Sequence, residues 1–150
     1  MKKTISLLFF ALFACGVFAQ DNNEAVNTNK WIDTYSGLNA AKDWNGMLSK
    51  LAECRAEVPN WEFADYYEGV ANFNLKNYQK AVDALTSFIQ KNQSTPAAFL
   101  YRGNAYLEMK EPIFAIKDYD EYLKATPNDI PTMLSKAQAR LITKDYANYI

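Results

Sequence analysis

The sequence predicts an all-α fold, a stack of antiparallel helix pairs repeated along the chain, and three observations predict it. Lysine recurs at 42, 76, 110 and 144, each 34 residues after the last, and is followed by Asp43, Asn77, Glu111 or Asp145. Next in each unit stands Trp44, Tyr78, Pro112 or Tyr146. Other columns keep the lattice: Ala81 with Ala115, Gly69 with Gly103, Ala71 with Ala105 and Ala139, Leu51 with Leu85 and Tyr119, and Pro59 with Pro127 two periods on. Within one period the large apolar residues recur at helical spacing. Each period therefore reads as a helical hairpin with more than one apolar face, which cannot bury both faces without a neighbour stacked on it.

The chain begins with an export signature. Met1, Lys2 and Lys3 form a basic start, Ile5 to Phe18 is almost wholly apolar, and Val17-Phe18-Ala19 offers small residues before a cut ahead of Gln20. Basic start, short apolar run and A-x-A-like end together describe a secretory signal peptide. The run is shorter than the roughly 20 residues that a membrane span needs. Leu12-Phe13-Ala14-Cys15 offers a competing cut, a bacterial lipobox in which Cys15 becomes the lipidated first residue. Phe13 fits that pattern poorly, and Gly16-Val17-Phe18-Ala19 is an unusually apolar start for a lipoprotein. The division expected is residues 1–19 as signal, 20–27 as an N-terminal lead, repeats at 28–61, 62–95 and 96–129, and a partial capping repeat at 130–150. Loss of 1–19 removes two lysines and no acid, and leaves Cys54 as the single cysteine, a small buried filler in a chain without an internal disulfide. No later segment is apolar enough to span a bilayer, so the mature chain is expected to be soluble.

The elements of one period follow from the residues. Ala98 to Met109 reads as a first helix, with Phe99, Tyr106 and Met109 on one stripe and Leu100 and Leu107 on the next. Lys110 stands near its C-terminus, where a cation complements the helix dipole. Glu111-Pro112 restarts the chain, with proline at the first helical position, where its missing N–H costs nothing. Ile113 to Ala125 reads as the second helix, with Ile113, Ile116, Tyr119, Tyr122 and Leu123 along one face. Thr126-Pro127-Asn128-Asp129 breaks it. In the other periods Asp43, Asn77 and Asp145 stand where an N-cap is wanted. Gly69 and Gly103, with Ala71, Ala105 and Ala139, supply small surfaces for close helix approach. A first helix over about Pro131 to Thr143 caps the stack.

These residues resemble the tetratricopeptide repeat (TPR) family. Phe99-x-x-Arg102-Gly103-x-x-Tyr106, then Ala115-x-x-x-Tyr119, then Pro127 is similar to the family signature. The period before it keeps Gly69, Tyr78, Ala81, Val82 and Leu85, but has Asn72 and Gln93 where an aromatic and a proline are usual. The first keeps Trp31, Trp44, Leu51 and Pro59, with Tyr35 for the glycine and Met47 for the alanine, which suits a terminal repeat whose outer face meets solvent. The resemblance spans roughly 28–150. It implies a TPR-type superhelical solenoid that acts as a scaffold, holding a protein or peptide on a concave face lined by the first helix of each hairpin.

Mapped onto this chain, the concave columns give four rows: Ile32, Tyr66, Leu100 and Leu134; Ser36, Val70, Asn104 and Gln138; Asn39, Phe73, Leu107 and Leu141; and Asn29, Phe63, Ala97 and Pro131. Tyr66, Val70 and Phe73 lie at i, i+4 and i+7 and so share one side of a helix. Asn104 and Gln138 carry amides that can pair with a peptide backbone. The candidate partner-binding set is Tyr66, Val70, Phe73, Asn104, Leu107, Gln138 and Leu141, an apolar groove with amide clamps. The bland alternative is that the aromatics only pack between hairpins. Members of the family that grip chaperone C-terminal carboxylates use lysines, an arginine and asparagines in these rows. Only Asn104 matches here, which argues against that use.

Composition narrows the function further. The 150 residues are 49% hydrophobic and 15% aromatic, which argues for an ordered core, and the formal charge of -1 lacks the footprint of a nucleic-acid binder. No histidine occurs, which excludes Ser-His-Asp and Cys-His catalysis, imidazole-based zinc sets and a histidine pH switch. Glycine-rich phosphate loops, CxxC pairs and nucleophile elbows are missing too, so neither an enzyme nor a cofactor is expected. Asp118, Asp120 and Glu121 lie within four residues of one helix and read as a solvated face, not as a calcium loop. Asn92-Gln93-Ser94 fits a glycosylation pattern that carries little weight in a bacterial-looking chain. The expectation is an exported, non-catalytic binding module of a bacterial periplasm or envelope, or alternatively a secreted protein or a lipoprotein anchored at Cys15.

Overall fold

The computed structural model describes residues 25–147, so Cys15 and the Ala19–Gln20 cleavage pair lie outside the described residues. Among the described residues eight helices follow one another: α1 over 25–40, α2 (Trp44–Ser49), α3 (Leu51–Glu57), α4 (Phe63–Asn74), α5 (Tyr78–Lys91), α6 (Pro96–Glu108), α7 (Pro112–Ala125) and α8 (Ile130–Ala147). There is no strand among the described residues. α4 with α5 and α6 with α7 form antiparallel hairpins, α5 packs on α6, and α7 packs on α8. Each helix meets only near neighbours in the chain, which makes the molecule an all-α TPR-type solenoid.

The period of 34 has a backbone cause. Lys42, Lys76 and Lys110 are the non-glycine residues with positive φ among those described, at 55°, 62° and 63°. Each sits two places beyond the last residue of a hairpin's first helix and closes it in the same way. Lys76 N–H donates to Phe73 O (2.9 Å) and Asn77 N–H to Asn72 O (2.8 Å); Lys110 and Glu111 donate likewise to Leu107 and Tyr106, and Lys42 and Asp43 to Asn39 and Leu38. That pair of bonds, six residues to one and five to two, satisfies helix-end carbonyls through a left-handed residue. The lysine is therefore a turn residue, and its contribution as a dipole-neutralising cation is secondary to its backbone conformation.

Other local expectations divide. Pro112 stands at the start of α7 behind the cap residue Glu111, and Asp43 caps α2 by accepting Gly46 N–H at 2.8 Å. Asn77 occupies the cap position of α5 without a side-chain capping bond; its amide turns back toward Asn72 Oδ1 at 3.4 Å. Asp145 is no cap, because α8 runs without interruption to Ala147. Asp129 begins that helix, accepting Thr132 N–H at 3.0 Å. The second helix of the first hairpin is interrupted at Lys50 into α2 and α3, where the Lys50 N–H is shared between Gly46 O and Met47 O, each at 3.3 Å.

The small residues act as expected where the two helices of a hairpin cross. A Cβ at Gly69 would lie 2.4 Å from Leu85 Cγ, and one at Gly103 would lie 3.0 Å from Tyr119 Cε1. In the first hairpin the large Tyr35 takes that column, and it does not mark a solvent-facing outer side. It is fully buried with Trp31, Met47, Leu51, Cys54, Val58, Ala64 and Ala71, and stacks on Tyr67 at 4.8 Å. Cys54, buried and free, makes room for it. Further clusters, Leu85–Phe88–Ile89–Ala98 and Ala81–Val82–Ala105, fill the α5–α6 seam.

A candidate binding groove

The first helices α4, α6 and α8 touch one another through α6, whereas α5 and α7 make no comparable contact, so the first helices line the inner wall. Along it the predicted rows differ in exposure. Ile32, Leu134 and Leu141 are exposed apolar side chains at 41%, 66% and 64%, and Ser36, Asn39 and Gln138 are exposed as well. Leu100, Leu107, Phe63 and Ala97 are partly buried. The wall is open at both ends and filled in the middle.

The middle is filled by the predicted aromatics. Tyr66 packs against Phe88 at 5.3 Å, Phe63 at 6.0 Å and Tyr101 at 6.4 Å, and burial pushes its phenol up to about 12. Phe73 packs against Tyr101 at 5.6 Å and Tyr78 at 5.9 Å. Val70 is 2% exposed and belongs to the core, so it offers no surface to a ligand. Both aromatics join neighbouring hairpins while keeping one edge in solvent. The two amides also differ. Asn104 Oδ1 accepts the Tyr119 hydroxyl at 2.8 Å, leaving its NH2 group as donor, whereas Gln138 stands exposed. Burial pushes the Tyr119 phenol up to about 12 as well, so it remains a donor.

Beside the wall lies a polar element that charge counting misplaced. Asp118 is buried at 4% exposure, not part of a solvated face. Arg102 donates to it twice, Nε to Oδ2 at 2.8 Å and Nη2 to Oδ1 at 2.7 Å, and donates also to Thr86 Oγ1 at 3.1 Å. Burial raises the Asp118 carboxyl above its ordinary value against the pull of the guanidinium. Burial opposes the Arg102 charge, yet the bonds to Asp118 hold its pKa up. Asp120 and Glu121 do face outward and pair with Lys136 and Lys124. A second hub, Asp65, accepts Arg55 at 2.7 Å, Ser87 at 2.7 Å and Lys91 at 2.8 Å. Burial raises its carboxyl, but the bonds from Lys91, Ser87 and Arg55 outweigh that and hold it below the ordinary value. Asn72, where an aromatic is usual, is satisfied by Glu68 O and Asn77. Among the described residues, no group of three His, Cys, Asp or Glu side chains could hold a metal, and no helix is long and apolar enough to cross a membrane.

No family model matches the chain. Human tetratricopeptide repeat protein 21B is 33% identical over 111 residues, which are 72% of this chain and 8% of that protein. The chain thus spans less than a tenth of that relative. Among solved structures, the first TPR of Spaghetti (RPAP3) bound to the HSP90 peptide SRMEEVD superposes with a TM-score of 0.65 at 19% identity, covering 84% of this chain and 94% of that one. The MamA protein superposes at 0.59 with 20% identity, covering 80% and 84%. The fold is that of tetratricopeptide repeats.

Proposed function

We propose that this chain is a TPR-family scaffold, exported to a bacterial periplasm or envelope, that binds a protein or peptide along its concave wall and carries out no catalysis. The observation that carries the reading is the row Ile32–Tyr66–Leu100–Leu134. Two of its members are large apolar side chains left in solvent at opposite ends of the wall, and the middle two are partly exposed. Exposed apolar side chains aligned on one wall are what a partner's apolar face would cover. Gln138 and the free NH2 of Asn104 lie in the next row, suited to backbone carbonyls. A neighbour of the same fold is described as bound to the peptide SRMEEVD, whose acidic end needs cations. The four rows of this chain contain none, so its ligand is an apolar segment and not an acidic tail.

Crosslinking in native envelope fractions tests the reading. The parent chain captures a partner that the double variant Ile32→Asp, Leu134→Asp loses, while both keep the same helical circular dichroism. Equal capture by the two would remove the concave wall as the site. Turnover abolished by Asp120→Asn with the fold intact would overturn the non-catalytic reading. The lipobox at Leu12–Cys15 supports a second reading, a lipid-anchored component of an envelope complex. Intact mass decides between them: a chain starting at Gln20 without acyl groups rules out the anchor.

A further inference from the structure

We infer that the cleft between α3 and α5, on the outer side of the stack, is a second binding site, one that takes a polar α-amino acid as its zwitterion. Arg55 of α3, Asp65 and Glu68 of α4, and Lys80, Asp83 and Ser87 of α5 enclose a space of about 480 Å³, with Ala84 beside them. Asp65 and Glu68 lie on a different flank of α4 from Tyr66, Val70 and Phe73, so the cleft and the concave wall are separate surfaces. The space exists because four columns of the repeat change character here. Thirty-four places after Arg55, Asp65 and Lys80 stand Ile89, Phe99 and Phe114, and Asp118 stands as far after Ala84. In that later unit Ile89 is buried with Leu85 and Phe88, Phe99 packs against them, and Phe114 stacks on Tyr106 at 5.1 Å. Asp118 is buried there in the grip of Arg102. In the earlier unit ionic groups take the apolar positions and alanine takes the place of the carboxylate, so the seam stays open. Ions at such a seam add little to the fold, because apolar side chains of like volume stabilise it as well or better.

The bonding capacity these ions leave unused defines the occupant. Arg55 holds Asp65 Oδ1 and Glu68 Oε2 through Nη2 alone, at 2.7 and 2.6 Å, which leaves Nε and Nη1 as donors. Lys80 has no acid partner among the described residues. Asp83 accepts the neutral Gln79 amide at 2.9 Å and does not pair with Lys80 one turn away. The cleft therefore offers a free cation beside a carboxylate that lacks a countercharge. A dianion such as phosphate would meet Asp65, Glu68 and Asp83, and a bare cation would meet Arg55 and Lys80. A zwitterion satisfies both signs. Its carboxylate takes Lys80 and the open Arg55 nitrogens, and its ammonium takes Asp83 and Glu68. The Ser87 hydroxyl donates to Asp65 Oδ2 at 2.7 Å and keeps its oxygen free to accept from a polar side chain. A space of this size suits a small molecule.

The probes are L-glutamine and L-arginine, titrated into the full chain by calorimetry. Saturable binding of at least one is expected at millimolar concentration or below. It should weaken at least tenfold for the N-acetyl derivative of that amino acid, which lacks the ammonium, and for its amide, which lacks the carboxylate. Lys80→Ala and Asp83→Ala should each weaken it as much, and both residues are exposed, so neither change threatens the fold. Lys80→Phe, which copies the residue 34 places on, should abolish binding with the melting temperature unchanged or raised. Ile32→Asp, Leu134→Asp should leave binding unchanged, which separates the cleft from the concave wall. Absence of saturable binding of both probes at millimolar concentration overturns the inference. Equal binding of the single-charge derivatives, of phosphate or of putrescine overturns it too, as does binding indifferent to the α5 variants or lost only with the concave ones.

Discussion

Arg102 grips Asp118 across the α6–α7 hairpin through two bonds of 2.8 and 2.7 Å, with both side chains largely withdrawn from water. Removing one partner strands a buried charge. Asp118→Ala should therefore cost about 3–5 kcal/mol in urea unfolding. The double change Arg102→Met, Asp118→Leu should recover most of that loss, since a packed apolar pair replaces a desolvated ionic one. A double variant no more stable than Asp118→Ala would show that Arg102 matters chiefly through Thr86.

Helix crossing distances rank the glycines. Gly69→Ala meets Leu85 Cγ at 2.4 Å, while Gly103→Ala meets Tyr119 and Asp118 at 3.0 Å or more. Overpacking of this kind costs about 1–3 kcal/mol, and Gly69→Ala should lose the more by thermal or urea unfolding. Gly103→Leu, which has no such margin, should lose several times as much as Gly103→Ala.

The Tyr35 hydroxyl is buried with no oxygen or nitrogen partner, and only the Cys54 thiol, a weak hydrogen-bonding group, lies beside it. An unsatisfied buried polar group costs about 1–3 kcal/mol. Tyr35→Phe keeps the stack on Tyr67 and should raise the melting temperature by a few degrees.

Asp65 governs the acid side of stability. Its carboxyl is held below the ordinary value, so the stability from its bonds is present above that value and is lost as pH falls through the folded one. Asp65→Asn should cost about 1 kcal/mol at neutral pH. The gap to the parent should close below about pH 4. A gap independent of pH would mean that packing, and not the charge, is what Asn removes.

Lys76 holds φ at 62°. A left-handed conformation costs an L-residue about 1–2 kcal/mol, partly offset in glycine by its greater unfolded-state entropy. Lys76→Gly should therefore stabilise by about 0.5–1 kcal/mol, and Lys76→Val should destabilise. Equal stability of both variants would contradict the turn geometry.

Period, hairpin order and crossing glycines were legible because each rests on a column that repeats, and repetition survives without knowledge of the third dimension. Arg102–Asp118 was not. Asp118 stands two residues before Asp120, and only the 100° turn per residue, anchored by Tyr119 facing Gly103, decides which carboxylate points inward. The groove rows fall on the first helices of the hairpins, yet their depth depends on neighbours: Tyr66 is half-covered because Phe88 and Tyr101 come from the next two helices. The break at Lys50 and the run of α8 past Asp145 belong to single units, so no other period could announce them.

The left-handed lysines also make the joints of the stack interchangeable. Glycine meets the demand of that turn at less cost, and nothing in the geometry asks for an ammonium group there. Lys144 continues the spacing, yet it lies inside α8, where there is no turn to close. Each of the three joints is thus set by one backbone angle, and the long side chains of Lys42, Lys76 and Lys110 are left to face solvent.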